Sequence, residues 1–157
     1  MKAMPTLEGG LRIDAENFND WGMLRSIIGD ANGCGIDLAS RLGGLISQEA
    51  GAEDWEEYVV PDLREGFQDE LAQVGAAIES AIFNADAGPG PLWISREDVY
   101  PWYSALNQAR LAIEEQFHFG PSETMDPADL TPKRRAGFMR SQFYGAIQSL
   151  LLEHVMK

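Results

Sequence analysis

Between Trp102 and Phe117 the large apolar residues Trp102, Leu106, Ile113 and Phe117, with Ala109 among them, recur at spacings of three and four, while Asn107 and Arg110 stay polar. That period predicts an amphipathic helix, entered at Pro101, continued to about Phe119 and stopped by Gly120-Pro121. A longer stripe of Leu63, Phe67, Leu71, Val74, Ile78 and Ile82 predicts a second helix that opens at Val60-Pro61, with proline at its first position. Phe18, Trp21, Leu24, Ile27 and Ile28 predict a third, capped by Asp14 or Asn17 and interrupted by Gly29 and by Asn32-Gly-Cys-Gly35. Ile36, Leu38, Leu42, Leu45 and Ile46 predict either a separate helix or the bent continuation of the third. A last helix takes Thr131 as its cap and Pro132 as its first residue, with Ala136, Met139, Phe143, Ala146, Ile147, Leu150 and Leu151 as its apolar line.

Strand signals are few. Leu11-Arg12-Ile13 suits one short strand, with little elsewhere to pair with it. Residues 1–10 read as a flexible arm, and residues 49–58 as an acidic connection holding at most a turn of helix. Asn84–Pro91 reads as a Gly-Pro loop and residues 95–99 as a short turn. The expected fold is all-α: a single domain over 1–157, built as a helical bundle of four to five helices with little or no β structure and no internal repeat.

Apolar content of 45% in 157 residues is enough for one core. Charge narrows the functions. Twenty-five acidic residues against 12 basic ones give a net charge of −13. Such a field repels nucleic-acid phosphates and anionic membranes, so neither is an expected partner. No run of roughly 18 apolar residues exists to cross a membrane, and the first residues lack the apolar stretch of a signal peptide. The one cysteine, Cys34, leaves no internal disulfide. A cytoplasmic location is expected.

Trp102-x-x-Ala105-Leu106-Asn107-x-x-Arg110-Leu111-Ala112 resembles the central motif of an uncharacterised bacterial domain family. Pro61-Asp62-Leu63-Arg64 at the opening of the preceding helix and Tyr144-x-x-Ile147-Gln148-x-x-Leu151 in the last are similar too. The resemblance covers residues 60–155 by element order. It implies an all-α fold and no activity. The family is known mainly from actinobacteria and is often encoded near the adaptor that feeds substrates to the Clp protease, which implies a link to Clp proteolysis.

Asn107, Arg110 and Glu114 share one helix face, and Arg110 lies four residues before Glu114, so the two can pair. In a structural role Arg110 would tie Glu114 to a neighbouring helix through Asp62 or Glu65. In a ligand-binding role Asn107 and Arg110 would offer donors to a carboxylate or phosphate. Glu115-x-x-His118 has the spacing of a di-iron ligand pair, but no second copy accompanies it, so no metal is expected and His118 reads as a surface residue at the helix end. Cys34 lacks any evident base, no Gly-rich phosphate loop or Cys/His cluster occurs, and neither catalytic residues nor a cofactor are expected.

Two features suit a protein partner. Lys133, Arg134, Arg135 and Arg140 form the one basic cluster, either salt-linked locally or offered to an acidic partner. Trp55, Tyr58 and Trp93 fall in expected connections, where they either cover the bundle ends or anchor a partner. The function expected is therefore a non-enzymatic interaction or regulatory domain that binds another protein or itself. The alternative is a helical-bundle ligand-binding protein or enzyme with a pocket around Asn107, Arg110 and Glu114.

Overall fold

The computed structural model describes residues 1–33, 37–45 and 48–157. Among the described residues five α-helices of eight residues or more carry the fold: α1 (Phe18–Asn32), α2 (Leu38–Leu45), α4 (Val60–Asn84), α5 (Val99–Phe117) and α6 (Pro132–His154), with a three-residue helix α3 (Ala52–Asp54) ahead of α4. The fold is not strictly all-α, because β1 (Lys2–Pro5), β2 (Leu11–Ala15) and β3 (Gly90–Ile94) form an antiparallel sheet in the order β1-β2-β3. The expectation of little or no β structure needs that correction. Both partners of the Leu11-Arg12-Ile13 strand come from segments read otherwise. Residues 2–5, expected within an arm, run antiparallel to β2 with Lys2 opposite Asp14. The end of the Gly-Pro loop supplies β3, with Leu11 opposite Ile94. Pro91 has no N–H to donate, which suits its place on an edge strand.

The helix caps follow sequence logic. Asn17 is the N-cap of α1 and accepts from the Asp20 N–H at 3.2 Å. Thr131 caps α6 and accepts from Arg134 N–H at 3.4 Å, with Pro132 as the first helical residue. Gly29 does not interrupt α1, which runs on to Asn32. Upstream of α4 the acidic connection is itself helical: α3 leads into a π-helical turn, Trp55–Val59, which passes into α4. Pro61 therefore lies just inside a continuing helix rather than at its start, and the π turn is where the ladder adjusts to the missing N–H. α5 begins at Val99, two residues before Pro101, so the proline falls in the first turn, where its absent donor is tolerated. Cys34, Ile36 and Ile46 lie outside the described residues, and so does any test of the Cys34 reading.

α5 is the central helix and packs against α1, α4 and α6. Its buried residues Trp102, Leu106, Ala109, Ile113 and Phe117 are those the periodicity selected. They meet Trp21, Leu24 and Ile27 of α1, Leu71, Val74, Ile78 and Ile82 of α4, and the inner face of the sheet, Leu11, Ile13, Ala15, Leu92 and Ile94, in one core. The face α6 buries differs in part from the one expected. Ile147 and Leu151 of the expected line are buried, with Phe143 and Leu150 packed against the core, but Met139 is 53% exposed and Gly137, Phe138, Tyr144 and Gln148 are buried instead. Two polar side chains can lie there because each finds partners. Tyr144 bonds Asp30 at 2.6 Å and Ser26 at 2.6 Å, while Gln148 accepts from Arg110 at 2.6 Å and donates to Tyr103 O at 3.3 Å.

Candidate functional site

Three side chains expected to share a face do so. Asn107, Arg110 and Glu114 are exposed along α5. With Phe119, Ser122 and Gln142 they line an open groove of about 520 Å³ between α5, α6 and the loop after α5. Arg110 does not pair with Glu114, nor with Asp62 or Glu65. It lies against α6 where Gly145 leaves room, since a Cβ there would stand 3.4 Å from the guanidinium carbon, and it donates to Gln148 Oε1 at 2.6 Å. Glu114 instead accepts the Gly120 N–H at 2.9 Å and holds the loop. Among the described residues no carboxylate comes within 4.0 Å of Arg110, so its charge faces the groove uncompensated. Glu115 pairs with Arg41 of α2 at 3.2 Å. His118 is exposed and terminates α5 in the left-handed region, at φ 51°, with its N–H on Glu114 O at 2.8 Å.

The four cations of the basic cluster are split apart. Arg134 donates to Phe117 O at 2.9 Å and covers the Phe119 ring at 5.0 Å. Arg135 donates to the carbonyls of Pro127, Ala128 and Leu130. Arg140 turns to α1 and makes a two-point contact with Asp30 at 2.7 and 3.1 Å, joined by the Tyr144 hydroxyl. That contact raises the pKa of the Arg140 guanidinium above its ordinary value. Lys133 remains exposed.

The three aromatics also separate. Trp55 is half-buried in the π turn, close to Gly43 of α2, and its indole N–H has no partner among the described residues. Tyr58 is 64% exposed one turn on. Trp93 is on the outer face of the sheet beneath the Arg12 guanidinium, 4.9 Å from its ring centre, in a row with Met4.

A second surface was not anticipated. α1 and α4 lie side by side, joined across their seam by Arg25 and Glu79 at 2.6 and 2.7 Å. The Arg25 hydrogen bonds hold the Glu79 carboxyl below the usual range. On this outward side α1 presents Gly29 and α4 presents Ala72, Gly75 and Ala76, while Gly22, two turns before Gly29, is exposed beyond the lining. With so little side chain on either wall, two adjoining depressions of about 350 and 340 Å³ open along the seam. They share Ile28 and Gly75, and Leu71 and Ile78 complete an apolar floor. A Cβ on Gly22 or Gly29 would meet nothing within 4 Å. Each glycine destabilises a helix interior by about 1 kcal/mol relative to alanine, and no contact among the described residues asks for it. The signal was present as Gly29 on α1 and a run of small residues, Ala72, Gly75 and Ala76, on α4, but it has meaning only once the two helices are known to be neighbours.

Residues 40–155 match the family described as Domain of unknown function (DUF2017), and the chain belongs to that family. No curated protein and no solved structure matches it. No described helix is long and apolar enough to cross a membrane.

Proposed function

We propose that this chain is a cytosolic, non-enzymatic interaction or regulatory domain, and that the α1/α4 seam is where it takes a segment of another protein. What supports the reading is the exposed Gly29 in the wall of an apolar furrow, with Gly22 exposed two turns before it on α1. They lower the stability of the free chain and leave room for another backbone to approach closely. A net charge of −13 argues against nucleic acid and anionic membrane as the partner. The resemblance to a family encoded near the Clp adaptor makes Clp proteolysis the process to which we assign it. Lys133, Tyr58 and Trp93 are exposed at separate places and would serve as secondary contacts. The test is affinity purification from the native host with wild-type and Gly29→Leu proteins in parallel. A specific protein, retained by the first and lost by the second, is expected. A partner held equally by both contradicts the assignment to the seam.

A second reading is favoured by Arg110, whose guanidinium faces a groove without a carboxylate partner among the described residues. A small carboxylate or phosphate ligand would meet Arg110 and Asn107 there. Calorimetric titration with succinate and with inorganic phosphate tests it: saturable heat abolished by Arg110→Gln supports the ligand, and heat unchanged by that variant removes it.

A further inference from the structure

Resting on the reading of the Arg110 groove as a ligand site, we infer that its ligand is a small amphoteric molecule, with a carboxylate held by Arg110 and a cationic nitrogen held by Glu114 and Glu123. All three side chains line the groove, and no other charged side chain among the described residues does. Arg110 is oriented without being neutralised. Its Nη1 donates at 2.6 Å to Oε1 of Gln148, a neutral amide 3% exposed, whose Nε2 donates in turn to Tyr103 O at 3.3 Å. Nε and Nη2 of Arg110 have no partner among the described residues, which leaves a planar fork that matches two carboxylate oxygens. Asn107, one turn earlier on the same face, adds a donor beside it.

The carboxylates select the other end of the ligand. Glu114 follows Arg110 by four residues, about 6 Å along α5. Its Oε1 accepts the Gly120 N–H at 2.9 Å, and its Oε2 has no partner among the described residues. Glu123, on the loop side of the groove, has no cation within 4.0 Å among the described residues. A purely anionic ligand would satisfy Arg110 and be repelled by both, and a phosphate group, with its charge of about −2, most of all. A cationic nitrogen about one helical turn from the carboxylate meets both ends at once. Leu111, Phe119 and Phe138 supply the apolar part of the lining for the carbon chain between them. Two sources carry this chemistry: a free basic amino acid and a short peptide with free ends. The groove shares no lining residue with the α1/α4 seam, so this ligand and a docked protein do not compete for contacts.

The test titrates the full chain, labelled with ¹⁵N, with three probes of one carbon skeleton: 6-aminohexanoate, hexanoate, which lacks the cation, and adipate, which has a second carboxylate in its place. 6-Aminohexanoate is expected to shift amides of residues 107–114 and 119–123 and to bind about threefold or more tighter than hexanoate, with adipate weakest. Arg110→Gln should weaken both 6-aminohexanoate and hexanoate. Glu114→Gln/Glu123→Gln, which keeps an oxygen for the Gly120 N–H, should bring 6-aminohexanoate down to the level of hexanoate and leave hexanoate no weaker. The changed side chains are exposed, and amides away from the groove report that each variant stays folded. L-Lysine and alanyl-alanine then separate the two sources, the tighter one naming the ligand. Equal binding of the three probes, or adipate tighter than 6-aminohexanoate, would overturn the amphoteric class and leave the carboxylate reading of Arg110 standing. Binding that Arg110→Gln leaves intact, or no shift at the groove with any probe, would overturn that reading and the inference with it.

Discussion

Replacing Gly22 and Gly29 together by alanine should make the free protein more stable. Both glycines are exposed on the interior turns of α1, and an ideal Cβ at either has no heavy atom within 4 Å. No clash therefore offsets the gain in helix propensity, which is about 1 kcal/mol at each site. The sites lie two turns apart, about 10 Å along the axis, far enough for the effects to add to about 2 kcal/mol. For a chain of this size that corresponds to a rise in Tm of about 4–8 °C. Urea unfolding followed by far-UV circular dichroism is the assay, with the midpoint expected to move up at constant slope. An unchanged or lowered midpoint would mean that another backbone already lies against α1 in the free protein, and the reasoning about an open furrow would be refuted. Gly137→Ala is the contrast. Its Cβ would stand 2.6 Å from Cε2 of Phe117, a buried ring stacked on Phe119, so overpacking should outweigh propensity and cost about 1–2 kcal/mol.

Other expectations concern the ends and joints of the helices. His118→Gly relieves a non-glycine residue at φ 51° and should raise stability by about 0.5–1 kcal/mol in the same unfolding assay. Tyr144→Phe removes the hydroxyl shared by Asp30 and Ser26 and should cost about 1–2 kcal/mol at neutral pH. Burial, and then the hydrogen bond to Asp30, push the Tyr144 phenol far above its ordinary range. A raised pKa in the folded state gives stability that is whole below the free phenol's pKa of about 10 and is lost as pH rises beyond it. Stability profiles should therefore fall more steeply above pH ~10 in wild type than in Tyr144→Phe, and parallel profiles would disprove the link. Arg110→Ala leaves the Gln148 Oε1 acceptor, in a side chain 3% exposed, without its donor. A loss of about 1 kcal/mol is expected, measurable by thermal unfolding.

Much of the helical frame was legible because it is local. Asn17, Thr131 and Pro132 are read where they stand, and the buried line of α5 follows from spacing alone. The sheet was not legible, since β1 is exposed along all four residues and shows no alternation, and β3 is embedded in a run of glycine and proline. Its strands acquire meaning only by pairing with β2, which already read as a strand. The face of α6 was legible at Ile147 and Leu151 and misjudged elsewhere for a different reason: Tyr144 and Gln148 look polar in sequence, yet Asp30, Ser26 and Arg110 from other helices allow them to be buried. The same long-range logic separated Arg110 from Glu114. It also hid the α1/α4 furrow, a relation between two helices that neither one's sequence contains.

The most direct test of the docking account is photo-crosslinking in the native host, from a photoreactive residue placed at Ala76 in the seam or at Asn107 in the Arg110 groove, followed by sequencing of the crosslinked peptide. The account predicts a specific crosslink from Ala76 to a segment of another protein. Crosslinks from Asn107 with none from Ala76 would contradict it.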